Sequence, residues 1–455
     1  MKIVIVGAGK VGVALTRHLA VENKVTVIDQ NPHLVENIIN IYDVMGVCGN
    51  GASYDVQKEA DVEQADLLIA TTSSDEINIL TCLVAKKMGV RHTIARIRNP
   101  EYSRQLRFMR SELGLSMAIN PEAATAREIA RVLRFPTAMK LESFSKGRLE
   151  LVEYRVAEHT ALDGTRLSEL YRNFKVRVLI CAVARQGETI IPSGDFTLRA
   201  GDKIYLTAAP RDLEKFFRLL GVFRARASSV MIVGASKMCY YLASELLEMG
   251  MSVKIIDQNE QRCVEMSERL PRALVIVGDG TDSELLSEEG ISQTDAFVAI
   301  TGLDEANILM ALSAAKQSGD CCKVVAKINR KSLLDLVSTE SLIDSVVSTG
   351  AVTTELILQY IRAMKNASAS KVKTLHRIVD EKVEALEFSV TPDIPFAGVP
   401  LRDLNLKRGL LLAGIVRQNG QIVIPSGNDV LHLHDDVIVV TTDTQLEDLR
   451  DILAE

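Results

Sequence analysis

Tryptophan is absent from the 455 residues, and aromatic side chains make up only 4% of them. A surface that grips single-stranded nucleic acid needs stacking platforms, so that class is disfavoured. A basic excess is missing as well: 59 acidic residues outnumber 53 basic ones, for a net charge of −6. That balance argues against a duplex-DNA footprint, and no nucleic-acid partner is expected. Long apolar runs are lacking too. The longest, such as GLLLAGIV at 409–416, fall far short of the ~18–20 residues of a membrane span. No A-x-A site follows an apolar run near the start, so no secretory signal is expected.

Cysteine is sparse and scattered. The seven cysteines (48, 82, 181, 239, 263, 321 and 322) make no C-x-x-C pair and no Cys/His cluster. Free, buried thiols in a reducing compartment are the expectation, with neither a disulfide frame nor a metal site. The motifs G-x-S-x-G, G-x-x-x-x-G-K-[ST] and H-E-x-x-H are missing, as is a paired-carboxylate signature. Of the seven histidines, His18 and His33 are expected near the surface. His432 and His434 are expected to alternate along one strand at a solvated edge, with no third ligand near in sequence. A dehydrogenase needs a second domain that presents a proton donor to the nicotinamide, and none is evident. No catalytic residue is assigned, and a non-enzyme is expected.

What is present is a chain 47% hydrophobic and 25% charged, a globular composition long enough for about three or four domains. It opens on KIVIVGAGKVGVALTRHLA. Lys2 to Val6 reads as a buried parallel strand, because a short apolar run stopped by glycine suits that position. The stretch Gly7–Ala8–Gly9–Lys10–Val11–Gly12 is a G-x-G-x-x-G turn. Gly7 permits the sharp turn, Gly9 lets a ligand approach the backbone, and Gly12 lets the following helix pack on the strand. The amides and positive dipole end of that helix favour an anion, and Lys10 adds a charge. A second strand, 24–29, ends on Asp29, 17 residues after Gly12. There an acid can accept hydrogen bonds from ribose hydroxyls; the alternative is an ordinary cap for the next helix.

The chain is written twice. SVMIVGASKMCYYLASELLEMGMSVKIIDQN (229–259) mirrors the opening, and Gly234 lies 227 residues after Gly7. VCGNGAS (47–53) returns as IVGDGTD (276–282). Thr72, Asp75, Glu76 and Asn78 match Thr301, Asp304, Glu305 and Asn307, each at an offset of 229. In the first copy, strands are expected at 2–6, 24–29, 43–48, 66–70 and 92–97 with helices between them, which is a doubly wound α/β sheet. A further helix is expected at Pro121–Phe135, with Asn120 as N-cap and Pro121 at the first position; Thr353–Met364 takes its place in the second copy. These two helices are the candidates for paired contacts between domains.

A small α+β module follows each copy, at about 149–220 and 384–455. Both read as a strand, a short helix, then V-A-R-Q-G or V-R-Q-N-G, a hairpin turn, and I-P-S-G. A strand ending in GD or DD, another strand and an amphipathic helix complete each. Arg224–Ser229 and Asn366–Lys371 read as linkers. The expected domains are 1–140, 141–223, 228–365 and 372–455.

With GAGKVG, Asp29, CGNGAS, ATTSSDEIN, ARIRNPEY and two IPSG modules in hand, the whole chain resembles the cytosolic regulators of Trk-type potassium uptake systems. Those are chains with two Rossmann-like RCK (or KTN) domains, each followed by an RCK-C module. The resemblance implies gating of an integral membrane potassium-translocating subunit, with the regulator peripheral on the cytoplasmic face. It also implies a homotetramer with a ring of eight RCK domains, and ATP or ADP and NADH or NAD as regulatory ligands in one cleft. Carried over by residue, Gly7, Gly9 and Gly12 hold the phosphates, with Lys10 as a basic contact, and Asp29 takes the ribose. Gly49, Asn50 and Gly51 border the adenine. Thr71, Thr72, Asp75 and Glu76 lie at the carboxyl edge of the sheet, and Arg96 and Arg98 reach terminal phosphates. For Asp75 and Glu76 the alternative is charge at a helix N-terminus; for Arg98 it is a surface ion pair.

The second copy departs from this pattern. Ser236 and Cys239 replace the second and third glycines, while Asp257, Asp279 and Lys327 remain. A weaker site is expected there, empty or limited to a mononucleotide. The competing readings are a nucleotide sensor for another cation transporter and an NAD-dependent oxidoreductase.

Overall fold

The computed structural model describes residues 1–102, 105, 113–223, 226–319, 322–337, 343–366, 372–379, 382–443, 446 and 448–454. The chain divides into two compact units, Met1–Ala130 with Ser228–Leu356, and Arg131–Ala227 with Ile357–Glu455. The first unit therefore gathers the two glycine-turn copies and the second gathers the two modules.

The first copy runs β1 (Lys2–Val6), α1 (Lys10–Leu19), β2 (Lys24–Asp29), α2 (Pro32–Ile41), β3 (Met45–Cys48), α3 (Tyr54–Glu59), β4 (Leu67–Ala70), α4 (Asp75–Lys87), β5 (His92–Arg96), β6 (Met117–Ile119) and α5 (Pro121–Arg134). The first module holds β7 (Lys140–Phe144), β8 (Leu149–Arg155), α6 (Leu170–Phe174), β9 (Leu179–Arg185), β10 (Glu188–Ile190), β11 (Lys203–Ala208) and α7 (Pro210–Leu219). The second copy repeats the plan with β12 (Ser229–Val233), α8 (Lys237–Glu248), β13 (Ser252–Asp257), α9 (Glu260–Arg269), β14 (Leu274–Val277), α10 (Ser283–Glu288), β15 (Ala296–Ala299), α11 (Asp304–Ser318), β16 (Lys323–Lys327), α12 (Lys331–Val337), β17 (Ser345–Val347) and α13 (Thr349–Asn366). The second module adds β18 (Val372–Ile378), β19 (Val383–Ser389), β20 (Leu410–Val416), β21 (Ile422–Val423) and β22 (Asp436–Thr441).

Each copy forms a parallel sheet, ordered β3-β2-β1-β4-β5-β6 in the first and β14-β13-β12-β15-β16-β17 in the second. The direction of winding reverses between β1 and β4, so a crevice opens at their carboxyl ends. Ile3, Ile5, Leu67 and Ile69 are buried, and each such side chain contributes about 1.5–3 kcal/mol on leaving water. The five strands read from the first copy are present, and the second copy repeats them. The sixth, β6 and its twin β17, is an addition: three residues each are too few for a periodicity to show. Asn120 caps α5 as expected, its Oδ1 accepting from Ala123 N–H at 2.9 Å. The twin helix α13 begins four residues before Thr353, with Ser348 Oγ accepting from Ala351 N–H at 3.4 Å.

The modules are antiparallel sheets ordered β10-β9-β11-β8-β7 and β18-β19-β22-β20-β21. Gln186 and Gly187, both at positive φ, turn the chain between β9 and β10. Gly420, at φ +86°, does the same between β20 and β21. The strand expected to end in GD or DD forms in neither module; Thr197 and Val430 each make only an isolated bridge. His432 and His434 do not lie on a strand: Val430 makes a single bridge with Pro400, and the chain turns at His434, φ +67°. Gly201 turns in the twin position, φ +87°. The cause is a buried aspartate that gathers the backbone. Asp202, 2% exposed, accepts from Arg199 N–H at 2.8 Å and from the Arg185 guanidinium through both oxygens at 2.7 Å. Asp435 likewise accepts from His432 N–H at 2.8 Å and pairs with Arg417. The repeated V-A-R-Q and V-R-Q arginines are thus fasteners of the modules.

The last amphipathic helix is α7 in the first module. In the second, the described residues of that segment hold one 3-10 turn, Leu449–Ile452. The chain then runs extended beside Asn405–Lys407, with Lys407 N–H donating to Ile452 O and Ala454 N–H to Asn405 O. Residues 444, 445 and 447 lie outside the described residues, as do 224–225 and 367–371 of the expected linkers. Among the described cysteines all are free thiols, and Cys48 differs from expectation in being exposed.

Removing a buried partner from a bidentate arginine pair costs about 3 kcal/mol. Asp202→Ala should therefore lower the unfolding free energy of the module by about that amount, read from a shift of the urea midpoint. A shift equivalent to less than about 0.5 kcal/mol would show that the pair does not hold the turn.

Candidate functional site

The crevice at the head of the first sheet is set by two glycines that tolerate no side chain. Gly7 has φ +106°, and a Cβ there would come within 2.9 Å of the Thr71 and Thr72 backbone. A Cβ on Gly12 would sit 1.8 Å from the Gly7 carbonyl oxygen, so α1 rests directly on the turn. Gly9 differs: nothing lies within 4 Å of the position its Cβ would take. It is the N-cap of α1 and offers no side-chain acceptor. The first intrahelical bond runs from Val13 N–H to Gly9 O at 2.9 Å. The amides of Lys10, Val11 and Gly12 precede it and point out of the helix end, where they favour an anion. Lys10 is exposed beside them, while Val11 is buried.

Asp29 stands at the end of β2. Its Oδ2 accepts from Ala8 N–H at 2.6 Å and its Oδ1 from Asn31 N–H at 2.8 Å. The carboxylate is thereby fixed beside the glycine turn with further lone pairs for a diol. It is not the cap of α2, since Asn31 Oδ1 takes that role toward His33 N–H. After β3, Gly49 N–H donates to Asp29 O at 2.9 Å, and Asn50 Oδ1 accepts from Ala52 N–H at 3.1 Å. A Cβ on Gly51 would meet Val6 Cγ1 at 2.1 Å, so this loop lies against β1.

At the end of β4 most polar groups are occupied by the fold itself. Thr71 Oγ1 donates to Val6 O at 3.2 Å. Thr72 donates to Asn78 Oδ1 from both its amide and its hydroxyl, at 2.8 Å each. Asn78 is buried and donates in turn to Arg96 O at 2.9 Å, so it ties the ends of β4 and β5 together. In the sequence, Asn78 stands out only as a match to Asn307 in the second copy, and its spacing does not announce this role. Buried Asp75 accepts from Arg98 N–H at 2.8 Å and Asn99 N–H at 2.7 Å, which shapes the turn after β5. Asn307 and Asp304 repeat both arrangements in the second copy. Glu76 is exposed; the Ser74 hydroxyl, then its own amide, lower its carboxyl to about 2.

Arg96 lies 3.4 Å from Glu122 on α5, and burial lowers its guanidinium despite that neighbour. Arg98 donates to Ser73 O and faces Asp75 at 3.7 Å. Among the described residues, the buried atoms Asp75 Oδ1, Arg96 Nε, Arg98 Nε and Glu122 Oε2 have no hydrogen-bond partner. This polar corner is also touched from the other copy: Tyr241 on α8 donates to Arg98 O at 3.0 Å, and Asn120 donates to the Tyr241 hydroxyl at 2.8 Å. The structure thus brings the glycine turn, Asp29, the 49–51 loop and the β4 and β5 ends to one edge. Glu122 and Tyr241 join them without any sequence motif to announce them.

The second copy shares the frame and differs at the helix end. Asp257 accepts from Ala235 and Asn259 amides at 2.7 and 2.8 Å, as Asp29 does. Asp279 accepts from the Thr281 hydroxyl and amide at 2.7 and 2.8 Å; the hydroxyl bond, then the amide, hold its carboxyl low. At α8, however, Ser236 fills the cap and its Oγ accepts from Cys239 N–H at 3.4 Å. Burial pushes the Cys239 thiol up, as expected of a side chain packed where the first copy has bare glycine. Lys327, the counterpart of Arg96, is lowered by burial, with Asp304 and Glu122 opposing.

Family models set these features in context. The TrkA-N domain model matches residues 3–121 and 230–349, and the TrkA-C domain model matches 151–221 and 385–454. A Trk system potassium uptake protein TrkA homolog from Archaeoglobus fulgidus is 32% identical over 453 residues, covering 99% of this chain and all of that protein. The Trk system potassium uptake protein TrkA of Halomonas elongata is 33% identical, covering 97% of this chain and 94% of its own length. Among solved structures, the GsuK channel bound to NAD superposes with a TM-score of 0.62 at 20% identity, over 98% of this chain and 77% of that one. GsuK bound to ADP gives 0.51 at 16%, over 80% of this chain and 69% of the other. At such identities the likeness speaks to fold alone, which is a tandem RCK-type arrangement. Sequence, family models and fold agree that this chain belongs to the TrkA family of Trk-system potassium uptake proteins.

Proposed function

We propose that the chain is a nucleotide-sensing regulatory subunit that gates a Trk-type potassium-translocating membrane partner, and that its first copy carries the principal site. NAD(H), ATP or ADP is the ligand in this reading. The names of the relatives support the potassium system, and the NAD and ADP complexes of GsuK support the ligand class. The observation that carries it is the contrast between two helix ends. The α1 end is capped by bare Gly9 with open space beside it, whereas the α8 end is filled by Ser236.

The pyrophosphate would lie on the amides of Lys10, Val11 and Gly12, with Lys10 as counter-charge, and Asp29 would accept from the ribose. Asn50 would border the adenine, and Arg96 and Arg98 would meet the distal phosphate or nicotinamide side. Thr71, Thr72 and Asp75 act as scaffolding for that edge, since their polar atoms already hold the backbone. The role is regulatory rather than catalytic in this reading. Among the described residues no helix is long and apolar enough to cross a membrane, which suits a peripheral subunit on the inner face. Four chains would supply a ring of eight N-terminal domains. Equilibrium binding of the nucleotides, followed by potassium flux through vesicles holding the membrane partner, tests the whole reading. Flux indifferent to every nucleotide bound would contradict it.

Ligand preference follows from Asp29. A carboxylate facing a 2′-phosphate repels it, so NADH should bind at least about tenfold more tightly than NADPH, a difference of about 1.4 kcal/mol. Equal affinities by calorimetry would remove Asp29 from the ribose.

The two copies should also respond unequally. Losing close phosphate contacts to two or three amides costs on the order of 2–4 kcal/mol, roughly 30- to 1000-fold in affinity. Asp29→Ala should abolish most tight binding, and Asp257→Ala should leave it largely intact. The reverse pattern in calorimetry would place the regulatory site in the second copy.

Gly9→Ala separates binding from folding. Its Cβ meets nothing within 4 Å, so the melting temperature should stay within about 1 °C of the parent while nucleotide affinity falls at least about tenfold. Unchanged affinity would show that no phosphate passes over Gly9.

A further inference from the structure

The two modules share one core, in which Phe144, Leu149 and Leu151 of the first pack with Ile378, Val383 and Val440 of the second. The contact is built from equivalent parts. Phe144 pairs with Leu149 at the end of the β7–β8 hairpin, and Ile378 pairs with Val383 at the end of β18–β19. Counting back two residues from each end gives Glu142 and His376, which therefore hold the same place in their modules. They also meet each other: His376 Nδ1 lies 2.9 Å from Glu142 Oε2. Two equivalent positions in contact lie on the pseudo-two-fold axis that relates the modules.

Both side chains are nearly withdrawn from water, at 6% and 8% exposure. Lys140 Nζ is 2.9 Å from the other Glu142 oxygen, and the imidazole stands edge-on to Phe144 with centroids 5.0 Å apart. Burial by itself would raise the Glu142 carboxyl; His376 and Lys140 outweigh it and hold the group well below the usual carboxylate range. Beside the axis, Ser145 donates to buried Glu387 from its hydroxyl at 2.7 Å and its amide at 3.3 Å. The place of Ser145 is taken by Val379 in the second module, which has no hydroxyl to donate.

The axis makes this arrangement selective. If two first modules met through the same face, Glu142 would oppose Glu142, and two buried carboxylates in contact cannot both ionise. If two second modules met, His376 would oppose His376, and Glu387 would face valine and lose its hydroxyl donor. We propose that Glu142 with His376, supported by Ser145 with Glu387, makes this face accept a module of the other type and reject a copy of its own. The partner it fits is thus a second-copy module for the first and a first-copy module for the second. In a chain that assembles with further copies of itself, that rule keeps the modules paired in register and disfavours like-with-like exchange.

Each single substitution builds, inside the full-length chain, the pair that like modules would present. His376→Glu sets two carboxylates on the axis, and Glu142→His sets two imidazoles there. Both should lower the melting temperature of the full chain by about 5 °C or more. The reciprocal exchange, Glu142→His with His376→Glu, should recover at least about half of the loss from His376→Glu, because unlike groups again face each other. If His376→Glu gives no folded protein, recovery of folded protein by the exchange is the readout. Single variants that melt within about 1 °C of the parent, or an exchange that melts no higher than the weaker single variant, would overturn the proposal.

Discussion

The contact between the Gly7 carbonyl and the bare Cα of Gly12 governs the geometry of this protein's first copy. It sets α1 directly on the end of β1, closer than any side chain allows. From that contact the rest follows. The helix end is carried to the carboxyl edge of the sheet, and its first amides face the crevice. Ala8 N–H is brought within 2.6 Å of Asp29, which anchors the acid beside those amides. A helix end with outward-facing amides and a carboxylate beside it, the pair proposed above to take pyrophosphate and ribose, thus come from one packing constraint.

Duplication then allowed the same frame to serve different ends. The second copy keeps Asp257, Asp304 and Asn307 in the hydrogen bonds their counterparts make. Those groups hold the backbone in both copies. What changed is the helix end, where Ser236 and Cys239 add side chains, and the outer face of the helix, where Tyr241 reaches the first copy at Arg98. The modules show the complementary outcome. Equivalent residues on their shared axis became unlike, Glu142 and His376, which no pair of identical modules could achieve.

The sequence made the parallel sheets and the duplication legible because each strand is a short apolar run stopped by a turn residue, and the copies stay in register over some 80 residues. It also pointed to Gly7, Gly12 and Asp29, whose spacing is imposed by sterics. Other features depend on long-range contacts that spacing does not carry. HLH at 432–434 alternates like a strand, yet Asp435 draws the backbone into a turn. Asp75 sits among polar residues of the crevice, yet its carboxylate turns inward to the amides after β5. Three-residue strands such as β6 are defined by their neighbour β5 rather than by their own pattern. Tyr241 and Glu122 enter the polar corner from elements distant in sequence, and only the fold reveals them.

In the proposed function an open helix end, rather than the acid that both copies keep, decides which copy holds nucleotide. A crystal structure of the protein grown with NADH tests it most directly. The expected result is a pyrophosphate on the amides of Lys10, Val11 and Gly12, with Asp29 on the adjoining ribose and a weaker density or none at α8. A dinucleotide seated on Lys237 and Met238 beside Asp257, with the α1 end empty, would contradict it.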